Sequence, residues 1–324
     1  MARYRILALD GGGVRGVITA VWLRRLEQEL GAPIRKHFDL IAGTSTGSIL
    51  ACALAVGRPP AALIRLYQEK ARLIFPRSPK PKGGPPRNPP KGTQRWLLVP
   101  GYDGRGLTSV LRAQFKDGQG GDLLFGQLHP SVKLMVLSYD TISRRPIIFN
   151  NHNAAHAGLP VYEIVKSSCS APIYFPAHVT TIEGQEHALI DGGVVASNPA
   201  LCGITEALST QPKASLLVAS FGSGQASMPI AAKDAQGWGA IGWLQKIVDV
   251  LMDGPMDLMD MMAPQLVGPS NYYRFQCALS PELESIDNAT PDNLERLIKE
   301  ATAYIQQLKV DQQIKRLAAA LKTA

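Results

Sequence analysis

An α/β fold, with a mainly parallel central sheet wrapped by helices, is what this chain of 324 residues predicts. Three observations predict it. Apolar strand-like runs alternate with helical ones from residue 4 to about 225, the pattern of strand, crossover and parallel strand. The first two strand-like runs each pass through a glycine-rich turn straight into a helix-like stretch. From Gly237 onward the pattern turns mostly helical. The length is ample for one large domain with a well-buried core.

In chain order, residues 4–9 read as the first strand, followed by Asp10-Gly11-Gly12-Gly13-Val14-Arg15-Gly16 and a helix from Val17 to Leu30. Residues 38–43 form the second strand, then Gly43-Thr44-Ser45-Thr46-Gly47 leads into a helix over Ser48 to Val56. Further strands are expected at 132–138, 145–149, 178–182, 188–190 and 215–221. The last helical stretch runs from Pro291 to Leu321, with Thr290 as cap and Pro291 in the first turn. No repeat and no clean break is visible. The expectation is one domain over 1–324, with an insertion at about 76–95 and a helical C-terminal extension at about 281–324.

Ser45 stands where a nucleophile needs to stand. In the order strand, Gly-x-Ser-x-Gly, helix, the turn is so tight that glycine must flank it, and the hydroxyl is pushed out above the sheet edge. The helix that follows favours the negative charge developing in acyl transfer. The loop at Gly11–Gly13 offers consecutive backbone N–H groups suited to an oxyanion hole. Later, Leu189-Ile190-Asp191-Gly192-Gly193 puts a carboxylate at the end of an apolar strand, with two glycines that allow close approach. The six histidines are His37, His129, His152, His156, His178 and His187, so none follows Asp191. An α/β-hydrolase order of Ser, acid and His therefore cannot use Asp191. A Ser45–Asp140–His178 triad stays open, although neither partner lies in a comparable turn. The economical reading is a Ser45/Asp191 pair with the carboxylate as general base.

Taken together, these motifs resemble the patatin-like phospholipases. The likeness covers about residues 4 to 280, through Asp10–Gly16, Phe38–Gly47, Ser168-Cys169-Ser170-Ala171-Pro172-Ile173-Tyr174-Phe175-Pro176 and Asp191-Gly192-Gly193 to Asn198-Pro199. Weaker likeness appears at Tyr102-Asp103-Gly104 and Asn271-Tyr272-Tyr273-Arg274. The resemblance implies a patatin-like three-layer architecture and a serine lipid acyl hydrolase of phospholipase A type, needing no metal or cofactor. It implies Ser45 and Asp191 as catalytic residues and an oxyanion hole around Gly12 and Gly13, with Arg15 as a nearby positive charge. Gly11, Gly43, Gly47, Gly192 and Gly193 would support them. Glycerolipids or phospholipids would be the substrates, met by peripheral contact with a membrane surface. A homodimer is carried as a candidate assembly.

Other readings compete. Gly11-x-Gly13-x-x-Gly16 also fits a dinucleotide fingerprint. Against it, Asp10 would repel a pyrophosphate, and no acid ends the second strand, where Ser45 lies instead. A glycine turn without chemistry is the bland alternative. The fold could also serve as a binding or storage module with an idle serine. Some bacterial relatives are phospholipases switched on by cyclic nucleotides in antiphage defence, so a cyclic-nucleotide activator is a candidate partner. Binding to nucleic-acid polymers gets little support, because the excess charge is local and aromatic-poor.

That charge is the net +8, and it has an address. Lys70, Arg72, Arg77, Lys80, Lys82, Arg87, Lys91 and Arg95 fall between Lys70 and Tyr102 with no acidic residue among them. Seven prolines between Pro76 and Pro90 rule out regular structure there. Two readings stay open: a flap meeting anionic headgroups with Trp96 and Leu97-Leu98 as anchors, or a solvated insertion. Cys52, Cys169, Cys202 and Cys277 show no paired or metal-ligand spacing, which suggests a reducing compartment, with Cys52 and Cys202 in the core. With no signal peptide and no spanning apolar run, a cytoplasmic protein peripheral to the membrane when active is expected. Five of the eight methionines lie between Met252 and Met262, more consistent with a buried helix face than with an acyl tunnel. Pro172 to Pro176 could be acyl-pocket wall or core packing. His152 and His156 read as polar loop residues rather than a metal pair.

Overall fold

The computed structural model describes residues 3–76, 100–129, 131–227 and 229–323, without the side chains of residues 240, 241, 244–246, 248, 249, 251 and 252. The basic Pro-rich insertion expected at about 76–95, with Trp96 and Leu97-Leu98, lies outside the described residues apart from Pro76.

Strands β1 (Arg3–Leu9), β2 (Leu40–Thr44), β3 (Lys133–Asp140), β4 (Arg145–Asn150), β5 (His178–Ile182), β6 (Gln185–Asp191), β7 (Ser215–Phe221) and β9 (Tyr272–Phe275) form one sheet. Its order is β5-β6-β3-β2-β1-β7-β9, with β4 paired to β3. From β3 to β9 the ladder is parallel, whereas β4, β5 and β6 run antiparallel to their neighbours. A two-stranded sheet of β8 (Gln225–Ala226) and β10 (Ala278–Leu279) lies apart.

Both faces of the parallel part are covered, so its strands read as near-continuous apolar runs. Along β1 the side chains divide with period two: Leu7 and Leu9 join one core, Tyr4, Ile6 and Ala8 the other. The larger core takes its helices from α1 (Gly16–Leu30), α2 (Thr46–Ala55), α3 (Pro60–Ile74), α4 (Arg105–Gln114), α6 (Val161–Cys169), α11 (Pro291–Ile305) and α12 (Leu308–Lys322). The smaller lies under α7 (Gly193–Ala196), α8 (Ala200–Thr210) and α10 (Ala240–Val267). The short helices α5 (Ala154–Ala157) and α9 (Ala232–Gly237) complete the set. This is the α/β layering expected, with helices on both sides of the sheet.

Three local expectations change. The C-terminal helical stretch is two helices, divided at Gln306-Gln307, where neither glycine nor proline marks the break. Strand β9 interrupts the region read as helical. It adds four residues beside β7, with Tyr273 opposite Ala219. The methionines do not make a buried face: Met256 is buried, but Met261 and Met262 are 71% and 46% exposed. The inward face of α10 carries Met256, Asp260 and Ala263, at helical spacing, and Met261 and Met262 fall off it. No helix among the described residues is long and apolar enough to cross a membrane.

Candidate active site

Strand β2 delivers Ser45 and β6 delivers Asp191, and β3 brings them together. Thr44 pairs with Leu137, and Asp191 pairs with the next residue, Ser138. Because β4 occupies the other edge of β3, β2 and β6 share one edge and meet there C-terminus to C-terminus. The Ser45 hydroxyl donates to Asp191 Oδ2 at 2.6 Å.

Ser45 itself is strained, with φ 52° and ψ −124°, a region costing on the order of 1–3 kcal/mol for a side-chain-bearing residue. Several bonds hold it there. Its N–H donates to Ser168 Oγ at 2.8 Å, and its carbonyl accepts from the Ser48 N–H (2.9 Å) and hydroxyl (2.6 Å). The flanking glycines are required by space. A Cβ on Gly47 would sit 2.1 Å from the Leu9 carbonyl oxygen, and one on Gly43 would sit 2.4 Å from that of Gly47. Thr46 Oγ1 bonds the Tyr67 hydroxyl, which fixes the first turn of α2.

Asp191 is buried, and its second oxygen accepts from the Gly193 N–H at 2.7 Å. Burial pushes its carboxyl up to about 7, against the lowering effect of the Ser45 hydroxyl and the Gly193 N–H. Gly192 lets the chain lie against β3, since a Cβ there would meet the Leu137 carbonyl oxygen at 2.3 Å.

The glycine loop between β1 and α1 closes the third side. Gly11 donates its N–H to the Ser197 carbonyl, and Val14 donates to Ile286. Among the described residues, the N–H groups of Gly12 and Gly13 have no acceptor. Gly13, at φ 58°, lines the same cavity as Ser45 and Asp191, whereas Gly12 and Arg15 do not. Arg15 is buried and directs Nη1 toward the Glu284 carbonyl at 3.4 Å. Asp10 anchors the loop from below through Arg274, whose Nη2 lies 2.7 Å from Asp10 Oδ2. The same guanidinium bonds Asp260 and Ser220, and Tyr272 donates to Asp260.

The cavity beside Ser45 is about 160 Å³ and its wall is almost wholly apolar, including Ile49, Leu107, Ile173, Phe175, Val194 and Ile286. Pro172 to Phe175 line it, and Phe175 also packs against Phe75 and Tyr102 at ring distances of 5.5 and 5.6 Å. This stretch is both cavity wall and core. None of the described methionine side chains lines that wall.

The competing sets do not assemble. Asp140 faces His187 at 3.1 Å and accepts N–H bonds from Ile142, Ser143 and Ala188, while His178 lies 3.8 Å from Glu163. Although burial opposes it, those hydrogen bonds hold the Asp140 carboxyl below the usual carboxylate range. His156 Nδ1 accepts from the Asn150 N–H, and no metal-binding cluster of His, Cys, Asp or Glu occurs among the described residues.

Sequence reasoning missed Ser168, which clamps the Ser45 N–H from 123 positions away, and Arg274, which reaches Asp10 from 264 away. Both lay within stretches of family likeness, but nothing local marks either side chain's partner.

A family model described as patatin-like phospholipase matches residues 7–201. "Patatin-like protein 2" of Arabidopsis thaliana is 32% identical, over 91% of this chain and 81% of its own length. The "cGAMP-activated phospholipase" of Pseudomonas aeruginosa is 30% identical, over 89% and 80%. "Patatin-17" of Solanum cardiophyllum is 30% identical, over 91% and 81%. With its glycine loop, serine turn and Asp-Gly-Gly strand end all within or next to one apolar cavity, this chain belongs to the patatin-like phospholipase family.

Proposed function

We propose that the protein is a serine lipid acyl hydrolase of phospholipase A type, which cleaves fatty acyl esters of membrane glycerolipids through an acyl-enzyme. The observation that carries this reading is the 2.6 Å hydrogen bond from Ser45 to Asp191, set at the wall of a cavity lined almost wholly by apolar groups.

In this reading Asp191 accepts the Oγ proton as Ser45 attacks the ester carbonyl. The oxyanion then forms facing the free N–H groups of the glycine loop, with Gly13 as the donor on the cavity wall and Gly12 behind it. Collapse of the tetrahedral intermediate passes the proton from Asp191 to the leaving lysolipid oxygen and leaves an ester on Ser45. Water repeats the sequence and frees the fatty acid. A carboxylate is ordinarily a weak base for a serine, and the lift of Asp191 to about 7 by burial brings its basicity nearer the task. The apolar wall suits an acyl chain, and the lipid is met by peripheral contact with a membrane.

Only the ionised base accepts the proton, so kcat/KM is expected to rise with pH along an acid limb centred near 7. A limb near 4 would mean that Asp191 is not desolvated in the free enzyme, and would remove this account of its basicity.

The direct test is fatty-acid release, read by mass spectrometry, from a dispersion of phospholipid, galactolipid and triglyceride, with wild type beside Ser45→Ala and no calcium. Release by wild type alone supports the reading and names the preferred lipid. Equal release by both would remove Ser45 from the chemistry. A second reading has one observation behind it, the 30% identity to a relative named as a cGAMP-activated phospholipase. Here the same site would be gated, and release would appear only after a cyclic dinucleotide is added.

A further inference from the structure

Among the described residues, four non-glycine residues hold positive φ: Ser45, Arg144, Ile173 and Glu183. Ser45 is accounted for by its turn. Arg144 and Glu183 lie in the turns between β3 and β4 and between β5 and β6. Ile173 is different. It is β-branched, so φ 74° crowds its side chain against its own backbone more than in most residues. It is also 46% exposed, and yet it lines the cavity that holds Ser45. Strain and an exposed apolar group fall on one residue at the cavity mouth.

The backbone around it is firmly held. The Gly101 N–H donates to the Ile173 carbonyl and the Tyr102 N–H to that of Tyr174, both at 2.8 Å. The N–H groups of Tyr174 and Phe175 both donate to Ala171, at 3.1 and 2.9 Å. The turn is therefore fixed by main-chain bonds, none of which needs an isoleucine side chain. Asparagine or glycine would meet the same φ with less strain.

We propose that Ile173 is the point through which the cavity mouth docks on a lipid bilayer. Its exposed methyl groups enter the outer acyl region, and its inward side continues the cavity wall, so an acyl chain leaves the bilayer along one unbroken apolar surface. Such a strained position persists where the surroundings over-determine it and function uses it. Charge agrees with a bilayer as the occupant. Phe75 lines the cavity, Gly101 bonds Ile173, and the sequence between residues 77 and 95 holds six basic residues and no acidic one, which suits anionic lipid. The choice of lipid as partner rests on the acyl-hydrolase reading above.

The test uses Ile173→Asn and Ile173→Leu beside wild type. Each is co-sedimented with vesicles of equal parts phosphatidylglycerol and phosphatidylcholine, and each is melted without lipid. Ile173→Asn is expected to melt no lower than wild type, while its partition onto vesicles falls roughly tenfold, the order expected when one aliphatic side chain is not buried. Ile173→Leu is expected to keep its partition. Unchanged partition of Ile173→Asn overturns the proposal, and so does a marked drop in its melting temperature, which would make the side chain a packing element. Unchanged partition with loss of a wild-type dimer would give the face to a second copy, again overturning it. Because sedimentation needs no turnover, a wild type that binds vesicles through Ile173 but releases no fatty acid, with or without a cyclic dinucleotide, would sink the acyl-hydrolase reading alone.

Discussion

Asp191→Asn is expected to slow acyl release by about 10⁴-fold or more, as when a catalytic carboxylate is replaced by its amide, and to raise the melting temperature at pH 8. Both effects have one cause. The carboxyl is buried, and its own value stands near 7 rather than 3.8. A group whose value is raised on folding lends stability while it is protonated. That contribution is present below the unfolded value and is lost as pH climbs from about 4 through about 7. Above pH 7 the native protein therefore carries a buried charge that opposes folding by up to a few kcal/mol. Asparagine keeps the shape, accepts the Gly193 N–H and donates to Ser45 Oγ, without the charge. Ser45→Ala should lose a comparable factor, and the double variant should be no slower than the worse single one, because in the proposed mechanism the two groups act as a unit. Rates within tenfold of wild type in a folded Asp191→Asn chain would end the dyad. A lower melting temperature at pH 8 would contradict the burial argument.

Arg274→Ala should be the most damaging change away from the serine, with a stability loss of roughly 3–5 kcal/mol, the order seen when a buried ion pair loses one partner. Arg274 on β9 reaches across β7 to Asp10, at the end of β1, and bonds Ser220 on β7 on the way. Asp10 is completely buried, and its Oδ1 has no hydrogen-bond partner among the described residues. Burial already lifts the Asp10 carboxyl to about 6, outweighing the attraction of Arg274. Without the guanidinium, Asp10 is a lone charge under the glycine loop. Urea titrations at pH 8 and pH 5 check this. The penalty should shrink at pH 5, where Asp10 takes up a proton, and should largely vanish when Asp10→Asn is combined with Arg274→Met. A penalty independent of pH would assign the loss to packing instead.

The parts of the fold that could be read from sequence are those whose cause is local. Glycines at 11–13, 43, 47, 192 and 193 announce tight turns, and apolar runs announce strands buried on both faces. Ser45 and Asp191 could be named because one sits in such a turn and the other ends such a run, while the positions of the histidines narrow the alternatives. Their contact is not local. It depends on β3 offering consecutive positions, Leu137 and Ser138, to two strands arriving from opposite directions. Strand β9 was hidden for a similar reason. Four residues between a helix and a loop carry little periodicity, and the purpose of Arg274 becomes visible only with Asp10 beside it. The exposure of Met261 and Met262 depended on which face of α10 Asp260 and Met256 turn inward, which composition does not encode.

The head-on meeting of β2 and β6 also bears on how the chain is made. A ribosome releases the serine turn long before the residues that complete β6. A chain that has emerged only as far as β4 can form β1, β2 and β3 but has no carboxylate to set beside Ser45. On the proposed chemistry such a chain holds a nucleophile without its base, and acquires a working centre only once the antiparallel return to Asp191 has docked on β3. On that chemistry, translation order acts as a safety catch: a truncated or half-folded copy holds Ser45 without Asp191 beside it and would cleave no ester.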